Sequence, residues 1–501
     1  MNDARSPSPR RWLILVVLCL STLVLVVDNM VLAVAIPPLA ADLGASAQDA
    51  QWILDSYILV FAGLLLTAGG LSDRFGRRRV MIIGLALFGA SSLAASCAAD
   101  PAQLIAARAA MGVGGALIMP STLSILITVF DGAERRTAMA AWSAAAMLGL
   151  VGGPVLGGAL IGWFWWGAVF LINVPVAAVA IAAALLLMPE SRGPRSRPDP
   201  LGAVLSMAGV TALVWTIIEL PHGLHATSLA VAVIALAAFV GWELRAPSPM
   251  VPLRLFRDRT FSGGSLCLTL VQIGNGGLML VLTQYLQFVL GYSPTEAGLA
   301  FIPMALASVV FNTLSTRADG RTMIVAGLTT SATGFGVLAT LSPGDGLAVT
   351  VIGLFLLGAG GGLAVPAAVS ALMGTVPAEQ AGAGSALNDT VQQLGAALGV
   401  AVLGSVLSGI FTGAMPGSAS GEARRSLGDA LAVAARTGDA GLAADARAAF
   451  TTAMSSTFAI SAAGVLAAAV PALVVLRGKP GAKSPEAPQE PSLEAAATTH
   501  H

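Results

Sequence analysis

Gly69-Gly70-Leu71-Ser72-Asp73-Arg74-Phe75-Gly76-Arg77-Arg78-Arg79 puts five charges into eleven residues, between two long apolar runs. Taken alone, the stretch could be a nucleic-acid patch or a nucleotide loop. Taken in place, it is the hinge between two membrane helices, and it orients the rest of the chain.

The surrounding composition decides between these readings. Of 501 residues, 56% are hydrophobic and only 10% charged, with a mean hydropathy of +0.83. A soluble globular protein carries about 25% charged residues. No soluble core could bury so much apolar surface, so the chain is a polytopic membrane protein. Backbone groups in lipid must satisfy one another, and the apolar runs are too continuous for barrel strands, so the spans are helical and the fold is all-α. The net charge is zero, which removes any global field drawing in nucleic acid. Cys19, Cys97 and Cys267 fall inside apolar runs and read as small buried hydrophobes rather than metal ligands or disulfides. The first run follows Arg5, Arg10 and Arg11 like a signal peptide. It is too long, contains Asp28 and lacks a clear cleavage site, so it reads as a retained helix.

Fourteen spans are expected, at about 12–36, 50–70, 79–98, 103–127, 137–161, 165–188, 200–220, 227–244, 260–290, 296–316, 321–341, 347–373, 381–412 and 450–476. Arg74, Arg77, Arg78, Arg79, Arg135, Arg136, Arg192, Arg195, Arg197, Arg245, Arg254, Arg257, Arg259, Arg317 and Arg321 mark one set of loops. Asp42, Asp49, Asp100, Glu296 and Asp345 mark the alternate set. By the positive-inside rule, the basic set and both termini are cytoplasmic. The loop 413–449 breaks the pattern, with four arginines and four acids on the outer side. Its Ala and Leu spacing predicts one or two short amphipathic helices outside the bilayer. The tail, 477–501, rich in Pro, Glu and Ala, reads as disordered and cytoplasmic.

A charged side chain inside the bilayer costs about 2.5–3.5 kcal/mol on insertion scales, so each one calls for a reason. Asp28 lies in the first span, Asp55 in the second, Arg108 in the fourth and Asp389 in the thirteenth. Glu219 and Glu243 sit near helix ends and can reach the interface. At about 1.5 Å of rise per residue, Asp28, Asp55 and Arg108 lie about 12, 7 and 10 Å from the outer ends of their helices. They share one depth. The plain reading is an inert ion pair holding helices together. The functional reading is a titratable carboxylate beside a fixed cation, facing a water-filled cavity. Burial and the cation act on such a carboxylate in opposite directions, which can poise it to gain and lose a proton. If Asp28 and Asp55 approach, they titrate as a coupled pair. Asp389 sits in Asn388-Asp389-Thr390-Val391-Gln392-Gln393, about 13 Å from the inner end of its span. This polar string reads either as a network of interhelical hydrogen bonds or as the lining of a cavity, with a second carboxylate for a cationic substrate.

Gly149 to Gly158, with Gly149, Gly152, Gly153, Pro154, Gly157 and Gly158, allows close helix approach and a bend. Gly112 to Gly115 and Gly358 to Gly362 are not nucleotide loops. No strand precedes them and no Gly-Lys-Ser/Thr follows, so an ATP-driven pump is unsupported. Trp163, Trp165 and Trp166 read as an aromatic belt at the outer interface, with a cation-binding cage as the alternative. An enzyme is not expected: His222 and His225 show no partner pattern, and His500-His501 is plain tail or tag.

Together these motifs resemble the major facilitator superfamily, in particular its fourteen-helix drug:proton antiporter family. Residues 69–79 are similar to that family's loop between helices two and three. Arg108 with Gly112 is similar to its fourth-helix motif, and Gly149, Gly153, Pro154, Gly157 and Gly158 to its fifth-helix antiporter motif. Phe170-Leu171-Ile172-Asn173-Val174-Pro175 and Gly291-Tyr292-Ser293-Pro294 are also typical. Trp52-Ile53-Leu54-Asp55-Ser56-Tyr57 and Gly115 to Thr122 resemble the quaternary-ammonium-compound (QacA-like) multidrug efflux branch. That branch has acids in helices one, two and thirteen, where this chain has Asp28, Asp55 and Asp389. The chain departs from it at Asp28-Asn29-Met30-Val31-Leu32-Ala33, and in helix thirteen, where Asn388 and Gln393 flank a single acid. Arg317-Ala318-Asp319-Gly320-Arg321 is a decayed copy of 69–79.

The resemblance implies a cytoplasmic N-terminal tail at 1–11, a six-helix bundle at 12–190, two inserted helices at 200–244, and a second bundle at 260–476. It implies a multi-pass protein of the cell's inner (plasma) membrane, expected as a monomer, that needs no cofactor or metal and takes its energy from a proton gradient. Its partners would be lipophilic cationic small molecules, protons and membrane lipid, with no nucleic acid. The activity implied is proton-coupled multidrug efflux by alternating access, exporting quaternary ammonium compounds and dyes such as ethidium, with fluoroquinolones as an open further class. Asp28, Asp55 and Arg108 would couple protons; Asp28, Asp55, Asp389, Asn388 and Gln392 would bind substrate; Gly69, Asp73, Arg74, Gly76 and Arg77 would form the cytoplasmic gate. Monovalent cations are expected to be handled better than dications. The alternatives are self-resistance export of a neutral natural-product antibiotic, or lipid transport.

Overall fold

The structure is a computed structural model that describes residues 10–130, 132–192, 199–247, 249, 251, 253–315, 319–342, 347–376 and 381–475. Arg195, Arg197, Arg317, Asp345 and the tails 1–9 and 476–501 lie outside the described residues. So does the Arg136 side chain.

Helices begin where short polar side chains cap them. In α2 (Ala47–Phe75), Ser46 Oγ accepts from Asp49 N while Asp49 accepts from Ser46 N. Ser293 and Glu296 repeat this box at α11 (Pro294–Ala300). Asp100 caps α4 (Pro101–Val129), and Asp199 caps α8 (Pro200–Glu219), each followed by a proline. Three of the acids expected to mark the outer loops, Asp49, Asp100 and Glu296, are therefore helix-start residues that satisfy orphan backbone donors.

The first half contains α1 (Arg10–Leu43), α2, α3 (Arg77–Ser96), α4, α5 (Gly132–Trp163) and a broken sixth span, α6 (Ala168–Leu171) with α7 (Asn173–Leu187). The inserted pair is α8 and α9 (Ala226–Glu243). The second half contains α10 (Arg259–Gln284), α11 with α12 (Ile302–Ser315), α13 (Gly320–Leu338), α14 (Leu347–Met373), α15 (Ala381–Ala414) and α17 (Ala440–Val475). A short α16 (Leu427–Thr437) precedes the last helix.

Among the described residues, eleven helices are long and apolar enough to cross a membrane, or thirteen if each of two bent pairs counts as one span. The bent helices are α2, turned by 55° near residue 66, and α5, turned by 43° near residue 151. The bend in α5 falls just before Pro154, which cannot donate to the preceding turn. The remaining expected span, 321–341, is α13. It is helical over 19 residues but carries Thr322, Thr329, Thr330, Ser331 and Thr333, and it falls short in apolarity. The count of fourteen is therefore not reached on length and apolarity alone.

Residues 413–449 hold a short helix, as expected, but the last span begins ten residues early. The short helix, α16, is closed by Gly438 in the left-handed region (φ 69°). Asp439 then caps a new helix start, accepting from Leu442 N at 2.9 Å. Residues 440–449 thus belong to the 36-residue α17. The aromatic cluster also divides. Trp163 and Trp165 are exposed, whereas Trp166 is buried and donates to Asp42 Oδ2 at 2.6 Å.

Two large apolar cores form, one mainly from α1 to α7, which Leu280 of α10 and Val400 of α15 join, and one mainly from α10 to α17. A third, smaller cluster of Leu59, Val214, Ile218, Ala397 and Ala401 joins α2, α8 and α15. The inserted helix α8 therefore sits on the seam between the halves. Polar contacts between the halves gather at the end away from the 69–79 hairpin. Gln287 Nε2 donates to Val34 O at 2.9 Å, and Thr295 Oγ1 to Gly158 O at 2.8 Å.

Candidate functional site

The centre of the first half holds a buried ion pair. Arg108 Nη1 of α4 lies 2.6 Å from Asp28 Oδ2 of α1. Asp28 Oδ1 accepts from Asn173 Nδ2 at 2.8 Å, and Asn173 also donates to Ser92 Oγ at 3.2 Å. Arg108 Nε donates to Ile53 O at 3.2 Å, and its guanidinium lies 4.4 Å above the Tyr57 ring. Asp28, Arg108 and Asn173 are 2%, 1% and 0% exposed. Both Asp28 oxygens are met, by Arg108 and Asn173, and Arg108 is held by Asp28, Ile53 O and the Tyr57 face, which offsets part of the cost of burying the two charges; Asn173 Oδ1 has no hydrogen-bond partner among the described residues. Both charged side chains are thus buried in the first half.

Asn173 is the residue that the reading of single positions missed. It opens α7 after the break at Ile172. Ile172 keeps helical dihedrals (φ −60°, ψ −27°), and the Asn173 side chain faces Asp28; a lone Asn beside a proline in an apolar span was the available signal.

Asp55 does not join this pair. Its carboxylate is fully buried, and neither oxygen has a hydrogen-bond partner among the described residues. A helix advances about 100° per residue, so Asp55 points about 200° away from Tyr57, the residue of α2 that faces Arg108. It lies instead between Trp52 and Leu59 on the face that packs against α8 and α15. Shared depth in the membrane placed it with Arg108; rotation about the helix axis parts them.

In α15, Asn388, Gln392, Gly395 and Gly399 form one face, and the two glycines lie against Thr269, Gln272 and Ile273 of α10. Asp389 is turned about 100° from Asn388 and accepts from Asn388 Nδ2 at 3.0 Å. Among the described residues, no hydrogen bond or ion pair links it to Asp28 or Asp55.

The glycine motif of α5 has two jobs. A Cβ on Gly153 would lie 2.5 Å from Met30 Cβ, and one on Gly157 would lie 3.0 Å from Val31 Cα, so these glycines seat α5 on α1. Gly149 faces Val26 of the same helix. Gly158 faces the other half, where a Cβ would meet Thr295 Cα at 2.6 Å, and the Pro154 carbonyl lies against Gly298. Gly152 faces open space.

The 69–79 hairpin turns on one residue. Gly76 adopts φ 113°, which side-chain-bearing residues avoid, and a Cβ there would strike the Glu190 carboxylate. Asp73 pairs with Arg77 at 2.8 Å, and Arg77 reaches the end of α4 through Ser124 O at 3.2 Å and Thr128 Oγ1. Arg74 lies over the Phe75 ring at 5.3 Å. Gly69 meets only Pro120. Glu190, beyond α7, accepts from Arg78 N at 3.1 Å and lies 3.7 Å from Arg79 Nε. All of these contacts tie α2, α3, α4 and α7 to one another within the first half. Glu190 is a second missed residue, whose signal was a lone acid among the basic loops.

No cluster of His, Cys, Asp and Glu fit to hold a metal occurs among the described residues. A Major Facilitator Superfamily model matches residues 18–400. The chain belongs to the Major Facilitator Superfamily. It is 37% identical over 495 residues to the multidrug efflux pump LfrA of Mycolicibacterium smegmatis, covering 95% of this chain and 98% of that one. It is 36% identical over 411 residues to the puromycin resistance protein pur8 of Streptomyces alboniger, covering 79% and 82%. Among solved structures, a bacterial homologue of the human lysosomal transporter Spinster, in an inward-facing and occupied conformation, superposes with a TM-score of 0.70 at 18% identity, covering 94% of this chain and 97% of that one. This transporter of the Major Facilitator Superfamily is thus a multi-pass membrane protein, and its relatives are efflux and resistance transporters.

Proposed function

We propose that this superfamily member is a proton-coupled exporter of lipophilic cations, of the fourteen-helix drug:proton antiporter family and its quaternary-ammonium-compound branch. Here α13 serves as the fourteenth span. The observation that carries the reading is the buried Asp28–Arg108–Asn173 cluster. A carboxylate held so tightly has one simple way to let go of its arginine, which is to take up a proton. Arg108 would then rest on Ile53 O and the Tyr57 face alone.

The two halves, each with a large core of its own and with polar contacts gathered at one end, suit alternating access. With the basic loops cytoplasmic, those contacts close the outer side and the 69–79 end faces the cell interior. Asp28 and Asp55 sit on different faces of the first half and divide the work. Asp28 takes the proton that frees Arg108, and Asp55 lies on the seam that moves. Asp389 supplies negative charge for the cation from the second half. Each elementary charge crossing the membrane draws about 2.3 kcal/mol per 100 mV, which sets the scale of the drive.

The test is ethidium export from proteoliposomes driven by a pH gradient. Asp28→Asn should abolish it, and undiminished export would remove Asp28 from the mechanism. Export of an antibiotic is the second reading, favoured by the relative named for puromycin resistance. A substrate panel run with and without the gradient separates the two.

A further inference from the structure

The inserted pair of helices carries a groove of its own, away from the Asp28–Arg108 cluster. It lies between α8 and α9, has a volume of about 790 Å³, and is lined in part by Met207, Thr211, Trp215, Glu219, His225 and Ser228. Drug-sized sites span about 300–1,000 Å³. Thr216 Oγ1 donates to Ser228 Oγ at 2.8 Å, which fixes the two helices beside one another.

The chemistry of the lining is specific. Glu219 is its only carboxylate, and no Lys or Arg lines it. Gln48 Nε2 of α2 donates to Glu219 Oε1, and His225 Nε2 lies 3.8 Å from Glu219 Oε2. Trp215 is 49% exposed, and its ring stands 5.5 Å from that of Trp52, tilted by 56°. An acid at one end, an open indole face one turn away and a thioether below complement a flat monovalent cation, by charge and by cation–π contact. The two contacts that hold the groove to α2, Gln48–Glu219 and Trp52–Trp215, lie on the face of α2 that also carries Asp55.

We propose that this groove is a second binding site, for a monovalent aromatic cation, built by the inserted helices and coupled through Gln48 and Trp52 to α2. It rests on the reading that lipophilic cations are the substrates. The site holds the cation at the seam between the halves, on the outer half of the inserted pair, apart from the central carboxylates.

The test uses the full chain in detergent, with photoactivated ethidium azide as probe and mass spectrometry of peptides spanning 207–231. Adducts are expected in that segment, both in the wild type and in Asp28→Asn. Glu219→Gln, which keeps a partner for Gln48, should lower them about tenfold, as should Trp215→Leu. Glu219→Asp should restore part of the labelling. Adducts absent from 207–231, labelling unchanged in Glu219→Gln and Trp215→Leu, or adducts competed equally by a neutral phenanthridine would each overturn the proposal. Full displacement by phosphatidylethanolamine in mixed micelles would make the groove a lipid site instead, and would also overturn it. Export is measured separately. Groove labelling that persists while Asp28→Asn exports normally counts against the proposed function and leaves the groove standing.

Discussion

Asn173 and Asp28 stand 145 residues apart in the chain and 2.8 Å apart in space, amide to carboxylate. The amide meets the Asp28 oxygen that Arg108 leaves, and it also bonds Ser92 Oγ of α3 at 3.2 Å. Asn173→Ala should therefore cost about 1–3 kcal/mol, the usual penalty for an unmet buried acceptor. Asn173→Asp should cost more, because it sets a second carboxylate beside Asp28. Thermal unfolding of the purified protein measures both, and equal melting temperatures for the two variants would contradict the placement.

Asp28 and Asp55 should respond oppositely to neutralisation. Asp28→Asn strands a buried arginine, and removing one partner of a buried pair costs about 3–5 kcal/mol. Asp55 has no partner to strand among the described residues, so Asp55→Asn should leave the melting temperature unchanged or raise it. A double change, Asp28→Asn with Arg108→Gln, should be milder than Arg108→Gln alone. A cycle that simply adds would show the pair to be uncoupled.

Asp73→Asn should slow transport while leaving dye affinity nearly unchanged. Its side chain anchors Arg77, which reaches the end of α4, and none of these residues touches the carboxylates in the bundle. Initial export rates set against equilibrium ethidium binding check this. A matching loss of affinity would place Asp73 in the binding site.

Gly76→Ala forces a side chain into φ 113° and against Glu190. The strain alone amounts to about 1–3 kcal/mol. Glu190→Ala in the same chain should relieve the clash but not the backbone strain, so the double variant should recover only part of the stability. Complete recovery would show that the backbone is not strained there.

Glu422, in the segment before α16, accepts a hydrogen bond from Arg436 at 2.7 Å, and with the nearby arginine charges this holds its carboxyl below the usual range. A depressed carboxyl contributes stability above its unfolded pKa and loses it as the pH falls through the folded value. Hydrogen exchange in α16, corrected for intrinsic rates, should be flat from pH 8 to about 5 and rise below about 4. In Arg436→Gln the rise should be smaller. An equal rise in both would mean that the pair does not hold the helix.

Much of the molecule can be read from residue types because the bilayer is a severe solvent. It obliges each span to satisfy its own backbone, so apolar runs become helices, and basic loops sort to one side. Depth brought Asp28, Asp55 and Arg108 to one level, because a buried charge needs a partner, but it could not say which acid meets the arginine. Asn173 and Glu190 stand out in sequence only as a lone Asn and an acid beside basic loops, and their partners lie on other helices, 145 and 112 residues away. Depth also misled at Asp55, which shares the level of Arg108 and faces the other way.

The hairpin at 69–79 shows the same division. Its charges alone identified it as a loop between spans. Only the fold decided that Gly76 would make the turn, that Asp73 would pair with Arg77, that Arg77 would reach α4, and that Glu190 would close the ring from beyond α7. Length, polarity and depth are properties of a segment and can be summed along the chain. The rotation of each helix about its own axis, which decides which side chains meet, is set by ridges, glycines and breaks on its neighbours, and so belongs to the packed structure.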